Sequence, residues 1–318
     1  MATVTGTYKT YSQKGKKEDV EDIIYDISPT LTPFTSSIGA STASAVLHQW
    51  QQDSLSEADG TNAAVEGADA GDASTDATVL KSNHTQIFTK VVQTSGTADA
   101  VETYGRNSEL AYQIAKKGKE LRRDIEASFV GQDVAGGAGA GGSNPTARTL
   151  ASALNQISAT TTDTGIDGDD TGTDPDLRNF SEDLLLNVLQ KVYEEGGDPN
   201  QIQVTPSHAL EIADFTAASG RNRDFGTGTK LVNVVDLYVS PMGECAVVPN
   251  RFLNENDVLV LDTEYWSRAV LRPMQTIELA KSGDSEKRQM LTELTLVCEN
   301  DVASGRITDL NPKAVIES

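Results

Sequence analysis

The chain has 318 residues, of which 37% are hydrophobic and 5% aromatic, so a buried core is possible but lean. Its 47 acidic side chains outnumber 26 lysines and arginines, which gives a formal net charge of -21. This charge disfavours nucleic-acid recognition and anionic membranes as main targets, because both repel an acidic protein. It also suits solubility in concentrated salt, so we expect a halophilic or marine setting.

The cysteines and the hydropathy of the chain indicate the compartment in which it is synthesised. The two cysteines, Cys245 and Cys298, are far apart in the sequence, and no apolar segment follows Met1. This pattern indicates neither a disulfide framework nor secretion, so we expect synthesis in the cytoplasm. No apolar run approaches the roughly 20 residues that cross a bilayer, which predicts no membrane partner.

Residues 1–47 are polar and contain one short predicted helix. Pro29 disfavours continuation of this helix, because the residue before a proline avoids the helical conformation. The helix has four apolar residues on one face: Val20, Ile23, Ile24 and Ile27. We interpret the segment as an extended arm, and an ordinary N-terminal helix docked on its own core is the alternative.

Residues 51–79 are rich in Asp, Glu, Ala and Gly and contain no Lys or Arg. Such a composition cannot bury enough apolar surface to fold alone. Residues 45–50 before this stretch and residues 86–97 after it have strand character. The pattern predicts a two-stranded extended loop, with a disordered linker as the alternative.

Residues 107–130 form the clearest predicted element, a helix of roughly 35 Å at about 1.5 Å per residue. Asn107 or Ser108 can cap its start. Gly118 lies on its apolar face, which indicates either a close backbone approach or a bend. That face carries five regularly spaced apolar residues: Leu110, Ile114, Leu121, Ile125 and Phe129.

The second half of the chain alternates between helices and strands, which favours an α/β or α+β fold. A second amphipathic helix is predicted from Ser181 to the glycine pair at 196–197. The acidic, glycine-rich loop at 160–176 is predicted to be solvated. Shorter helices are predicted at 150–157 and 207–215, and strands at 201–206, 231–239, 244–248, 257–261, 267–271, 276–279 and 289–297.

No sequence motif predicts a catalytic residue, a cofactor or a metal. The three histidines, His48, His84 and His208, are isolated, whereas a zinc site needs three or four convergent ligands. Residues 39–43 (GASTA) lack the final glycine of the serine-hydrolase motif. The glycine run at 136–142 lacks the Gly-Lys-Ser/Thr ending that binds phosphates.

The turn at residues 167–172 (DGDDTG) resembles the beginning of a calcium-binding loop. However, Thr171 stands at the fifth ligand position, and Arg178 stands where a bidentate glutamate is needed. A solvated acidic turn is therefore the expectation, with a weak cation site as the alternative.

Four stretches together, residues 18–34, 105–124, 248–252 and 279–289, resemble in kind and order the major head proteins of tailed phages. The fold of that family is the one named after phage Hong Kong 97, an α+β fold. The resemblance implies an N-terminal arm, an extended β-hairpin loop, a peripheral domain with a long spine helix, and an axial domain. Their expected boundaries are 1–47 for the arm, 48–97 for the loop, 98–144 and 251–318 for the peripheral domain, and 145–250 for the axial domain.

The resemblance further implies a non-enzymatic capsid protein whose hexamers and pentamers form an icosahedral head around double-stranded DNA. Expected partners are other copies of the chain, portal and scaffolding proteins, possible decoration proteins, and the packaged DNA through non-specific contacts. Assembly is expected in the host cytoplasm, and the strands after Asn256 should return to the peripheral sheet. A soluble binding module and a tail structural protein are the alternatives.

Two charge patterns bear on assembly. Some relatives of this fold join a lysine of the extended loop to a neighbour's asparagine, but residues 51–80 contain no lysine and Lys81 lies at the loop base. The loop carries seven acids, Asp53, Glu57, Asp59, Glu66, Asp69, Asp72 and Asp76, whereas the spine carries five bases, Lys116, Lys117, Lys119, Arg122 and Arg123. These bases could dock a neighbour's acidic loop, face DNA, or pair with the helix's own acids Glu120, Asp124 and Glu126.

Overall fold

The computed structural model describes residues 31–56, 58–67, 69, 77–101, 108–132, 138–165, 177–218, 237–281 and 283–311. Several predicted features lie outside these residues: the helix around residues 20–27, the start of the glycine run at 136–137, the turn at 167–172 and the beginning of the strand at 231–239. The described part combines packed helices with two main sheets, which confirms the α+β class.

Six α-helices occur in the described residues: α1 (Pro33–Ser37), α2 (Gly96–Ala100), α3 (Glu109–Val130), α4 (Ala153–Gln156), α5 (Glu182–Glu194) and α6 (Pro206–Ala218). Fourteen strands occur there: β1 (Gly39–Thr42), β2 (Leu47–Gln52), β3 (Val79–His84), β4 (Gln86–Ser95), β5 (Ala138–Ala140), β6 (Thr149–Ala151), β7 (Thr162–Asp163), β8 (Gln201–Val204), β9 (Leu237–Ser240), β10 (Gly243–Pro249), β11 (Val258–Leu261), β12 (Trp266–Glu278), β13 (Ser285–Cys298) and β14 (Gly305–Ile307).

The spine helix α3 lies within the predicted range 107–130, and one of its two predicted caps, Ser108, begins it. The Ser108 hydroxyl accepts a hydrogen bond from the backbone N–H of Ala111, and Gly131 ends the helix in the left-handed conformation. A Cβ on Gly118 would lie 3.3 Å from the methyl group of Met290 on β13. Of the two expectations for Gly118, the structure therefore supports the close approach, which brings the helix down onto the sheet.

The spine packs on a four-stranded sheet of order β1-β12-β13-β4, in which only β1 and β12 are parallel. The predicted strands at 267–271 and 276–279 form one strand, β12, which ends at Glu278. Its register shifts between Val270 and Arg272 and again before Gln275, and Pro273 between them has no backbone N–H to donate. β12 is therefore one strand with a bulge, where the sequence predicts two separate strands.

A six-stranded sheet of order β7-β14-β11-β8-β10-β9 holds the second core, together with α5 and α6. Ser181 caps α5 as predicted, because its hydroxyl accepts the backbone N–H of Leu184. The expectation that all strands after Asn256 return to the sheet on the spine is wrong for β11, which pairs with β8 and β14, and for β14, which pairs with β11 and β7. Every residue of β11 is buried, so its hydrophobic pattern does not distinguish one sheet from the other, and β14 was not predicted as a strand.

The buried carboxylate of Glu126 links the spine helix to α1 and to the six-stranded sheet. Its oxygens accept hydrogen bonds from the backbone N–H groups of Phe34 and Thr35, each at 2.8 Å, and from the Thr35 hydroxyl. The side-chain amide of Asn250, just after β10, donates to the same carboxylate at 2.9 Å and to Gln203 on β8 at 3.0 Å. Glu126 thus connects α1, the spine and the six-stranded sheet.

Replacing Glu126 by glutamine should destabilise the subunit by about 1–3 kcal/mol, because one carboxylate acceptor becomes a donor that faces buried donors. Urea unfolding of unassembled subunits measures the change. Glu120→Gln is the matched control: its carboxylate is partly exposed, and its pairing with Lys117 contributes at most about 1 kcal/mol. Equal midpoints for the two variants would contradict the role assigned to Glu126.

Candidate assembly surfaces

A β-hairpin formed by β2 and β3 corresponds to the predicted extended loop. The two strands pair antiparallel from Leu47 opposite His84 to Gln52 opposite Val79. The predicted return strand at residues 86–97 is wrong, because β4 pairs with β13 in the sheet on the spine. We call residues 53–78, which connect β2 to β3, the acidic tip.

The root of the hairpin is held by polar side chains. The Asn83 amide is buried and donates to the carbonyls of Ala151 and Leu296, at 3.1 and 2.7 Å, while its oxygen accepts the N–H of Ala151 at 2.8 Å. Lys81 forms a salt bridge of 2.8 Å with Asp301. These contacts define the direction in which the hairpin leaves the subunit.

A buried carboxylate also supports the junction between β3 and β4. Glu293 is 3% exposed and accepts hydrogen bonds from the Thr85 hydroxyl at 2.8 Å and from the guanidinium groups of Arg148 and Arg272. Arg148 also donates to the carbonyl of Thr85. Because Thr85 separates the hairpin from the sheet, this network keeps the two strands in separate sheets.

The acidic tip exposes apolar side chains as well as charge. Leu55 is 99% exposed and Val65 is 79% exposed, so both are accessible to a neighbouring subunit. Hydrogen bonds from the hydroxyl and then the N–H of Thr61 lower the pKa of Asp59, so this acid keeps its charge. Asp53, Glu66 and Asp69 are also exposed, whereas Glu57, Asp72 and Asp76 lie outside the described residues.

The structure divides the basic cluster of the spine into two groups. Lys117 pairs with Glu120 at 2.7 Å, a hydrogen bond that lowers the pKa of Glu120, and the guanidinium of Arg123 lies 5.8 Å from the ring centre of Phe252. A second acid, Asp124, pairs with Lys90 on β4 at 2.6 Å. The remaining three bases are exposed and are called the basic spine face: Lys116, Lys119 and Arg122.

The residues considered for catalysis or metal binding are not brought together. His48 packs beside Trp50, and His208 is fully buried between the carboxylate of Glu211 and the carbonyl of Glu255. His84 is at the end of β3, and GASTA at 39–43 contains β1. Within the described residues, no three His, Cys, Asp or Glu side chains are grouped to hold a metal ion.

Both cysteines are free and buried. Burial raises the pKa of Cys245 to about 11, and it also raises the pKa of Cys298. Such thiols are protonated at neutral pH, and they are poor nucleophiles.

No helix in the described part of the chain is long and apolar enough to span a bilayer.

Comparisons with known proteins agree with this architecture. The chain matches the family model of the SU10 major capsid protein over residues 3–311. The major capsid protein of Escherichia phage Phieco32 is 30% identical over 335 residues, covering 94% of this chain and 95% of that protein. Two solved structures are similar at low identity: the capsid of a native GTA particle (TM-score 0.67, 11% identity, 95% and 98% coverage) and the Cyanophage A-1(L) capsid asymmetric unit (TM-score 0.63, 12% identity, 95% and 98% coverage).

The two sheets, the spine helix and the projecting hairpin form the Hong Kong 97-type fold of these capsid structures. The match over nearly the whole length shows that the chain belongs to the SU10 major capsid protein family. It is a major capsid protein of a tailed phage and a structural component of the icosahedral virion capsid. The predicted fold class and function are confirmed.

Substituting Asn83 by alanine should loosen the hairpin root, because it removes three hydrogen bonds and leaves buried carbonyl groups without their donor. We expect faster hydrogen exchange in β2 and β3 and a loss of about 1–3 kcal/mol in unfolding free energy. Ser82→Ala, at an exposed neighbouring position, is the control. Unchanged exchange in Asn83→Ala would show that the root is held by other contacts.

Proposed function

We propose that the chain assembles in the host cytoplasm into hexamers and pentamers, which close into a shell around double-stranded DNA. Identical subunits that contact one another head to tail form closed rings when the rotation closes. The observation that carries this proposal is the anchored hairpin, whose tip exposes Leu55 and Val65. In a shell, a neighbouring subunit would cover these side chains.

The pairing of the strands in the subunit supports a division into an arm, a loop and two domains. In this division the arm comprises residues 1–46, of which α1 and β1 pack on the spine and its sheet, and the paired strands of the extended loop run from residue 47 to residue 84. The peripheral domain at 98–144 and 251–318 would contribute β11 and β14 to the sheet of the axial domain at 145–250. The division is thus spatial and does not follow the sequence strictly.

Further partners follow from the capsid role. A portal, a scaffolding protein and packaged DNA contacted without sequence preference are the expected ones, and decoration proteins accompany the capsid proteins in the related phage G structure. The role is structural, and we propose no enzymatic activity. A halophilic setting remains a prediction from the acidic composition.

Particles formed by the recombinant chain should be closed shells of hexamers and pentamers held without covalent cross-links. Lys81, the lysine at the hairpin root, is engaged with Asp301 in its own subunit. Electron microscopy of the particles, followed by denaturing electrophoresis, should show shells and a single band near 33.9 kDa. Monodisperse monomers or open tubes would contradict assembly into closed shells by the chain alone, and boiling-resistant multimers would contradict the non-covalent shell.

The basic spine face has two candidate roles. It could receive the acidic tip of a neighbouring subunit, since opposite charges guide association, or it could face DNA on the inner wall. The exposed charges would tune either contact, because an exposed ion pair contributes at most about 1 kcal/mol and is screened by salt. Docking of the acidic tip is the role we favour, because the tip combines exposed acids with exposed apolar groups.

Changing Lys116, Lys119 and Arg122 to glutamate should prevent assembly of empty shells, because the reversed face would repel the acidic tip. Arg123 is left unchanged, since its packing on Phe252 contributes to the fold. Assembly is followed by sedimentation at low and high salt, and reversal of exposed Arg251 and Lys281 is the control.

The three outcomes separate the possible roles. Failure of empty-shell assembly only in the spine variant supports docking. Normal empty shells combined with unstable DNA-filled heads would identify DNA as the partner of the face. Normal behaviour of both particle types would show that the three bases are merely solvated.

A further inference from the structure

The strand β4 has an open edge on the side away from β13. It pairs with β13 along its length without a register shift, and no described strand pairs with its other side. Gly96, which follows the strand, donates its N–H to Asp284 beside β13, so alternation points every second N–H of β4 the other way. These outward groups, which have no partner among the described residues, belong to Ile87, Thr89, Val91 and Gln93.

The edge of β4 lacks the features that normally protect an exposed strand, namely proline, a bulge and outward charge. Its one charged residue, Lys90, is paired with Asp124 of the spine at 2.6 Å. The edge of β12 beyond Val270, also unpaired within the described residues, has all three features: Pro273, two register shifts and the exposed Glu278. The unprotected edge of β4 therefore indicates that another strand covers it.

The hairpin has a matching open edge on β2. Val46 accepts the N–H of Thr85, so alternation directs the backbone groups of Leu47, Gln49 and Gln51 away from β3. No described strand pairs with this side of β2, whose sequence LHQWQQ contains neither proline nor a residue of permanent charge. The hairpin that projects from the subunit thus carries an unprotected edge of its own.

We propose that β2 of a neighbouring copy pairs with the open edge of β4, so that the hairpin of one subunit extends the four-stranded sheet of the next. The inference rests on the proposed assembly of identical subunits and names the surface that receives the hairpin. Extended segments commonly join a sheet through backbone hydrogen bonds at such an edge. Because β2 and β4 are different surfaces, each subunit gives its hairpin to one neighbour and receives a hairpin from another, as a closed ring requires.

The exposed side chains of the two edges support this pairing. Ile87 and Val91 are 42% and 51% exposed and point to the same face of β4, and Leu47 of β2 is 38% exposed. All three belong to residues whose backbone groups face the open edge. Pairing of the strands therefore places these apolar side chains side by side on one face of the extended sheet, where they cover one another.

The surroundings of the edge agree with docking of the acidic tip. A groove of about 800 Å³ lies between β4, α2 and the first half of the spine. It is lined by Thr94, which is 7% exposed and whose hydroxyl has no hydrogen-bond partner among the described residues. The acidic tip follows β2 directly in the chain, and Lys116 and Lys119 lie on the same half of the spine as the groove. A strand added to β4 therefore brings the acidic tip close to the basic spine face.

Hydrogen exchange resolved to single amides, measured on unassembled subunits and on shells, tests the added strand. We expect exchange at Thr89, Val91 and Gln93 to be roughly tenfold slower or more in shells, whereas Lys90 and Val92 already bond to β13 and change little. Slow exchange of the outward amides in both states would show that the subunit's own chain covers the edge. Fast exchange in both states would show that nothing covers it, and either result overturns the proposal.

Disulfide trapping between two variants identifies the strand that is added. Subunits with Gln49→Cys on β2 are mixed before assembly with subunits that carry Thr89→Cys, Val91→Cys or Gln93→Cys on β4, all at exposed positions, while both native cysteines are buried. A dimer band without reductant is expected from at least one mixture. Each variant assembled alone is the control, and it should give no dimer.

The outcomes separate the added strand from the assembly on which it rests. Shells that close without a mixed disulfide would overturn the added strand and leave the proposed assembly intact. Subunits that do not associate at all would contradict both. Dimers formed as readily by one variant alone would show that copies of the same strand meet, which would also overturn the pairing of β2 with β4.

Discussion

The buried carboxylate of Glu126 is the contact on which the arrangement of the subunit depends. A buried carboxylate needs several hydrogen-bond donors, and here they come from the backbone of α1 and the side chains of Thr35 and Asn250. The donors belong to different parts of the chain, so the carboxylate is satisfied only when all of them are in place. A hydrophobic core alone would tolerate small shifts between these parts, whereas this network does not.

The subunit uses a second carboxylate in the same way. Glu293 holds Arg148, Arg272 and Thr85 at the point where the hairpin leaves the body. A capsid subunit must present its projections in a reproducible direction, because each contact is repeated around the shell. Rigid polar anchors at the root combined with an exposed tip meet that requirement, and they explain how a chain with only 37% hydrophobic residues can hold a long projection.

The candidate surfaces were predicted in part. The acidic loop and the basic helix could be located from composition, because charge is a property of the residues themselves. The degree of exposure of each base could not be predicted, because Lys117 and Arg123 are partly covered beside Glu120 and Phe252, and Asp124 pairs with Lys90 on β4. The three exposed bases follow only from how the helix lies on the sheet.

The sequence by itself determined the elements whose signals are local: the spine helix with its Ser108 cap, and α5, which begins after Ser181. Tertiary structure decided what each strand pairs with. It assigned β3 to the hairpin and β4 to the sheet, and it placed β11 and β14 in the six-stranded sheet. Helix hydrogen bonds and caps join residues within a few positions of each other, so the local sequence specifies them. Strand pairing joins residues as far apart as Ile87 and Glu293, and it depends on buried side chains that converge only in the folded chain.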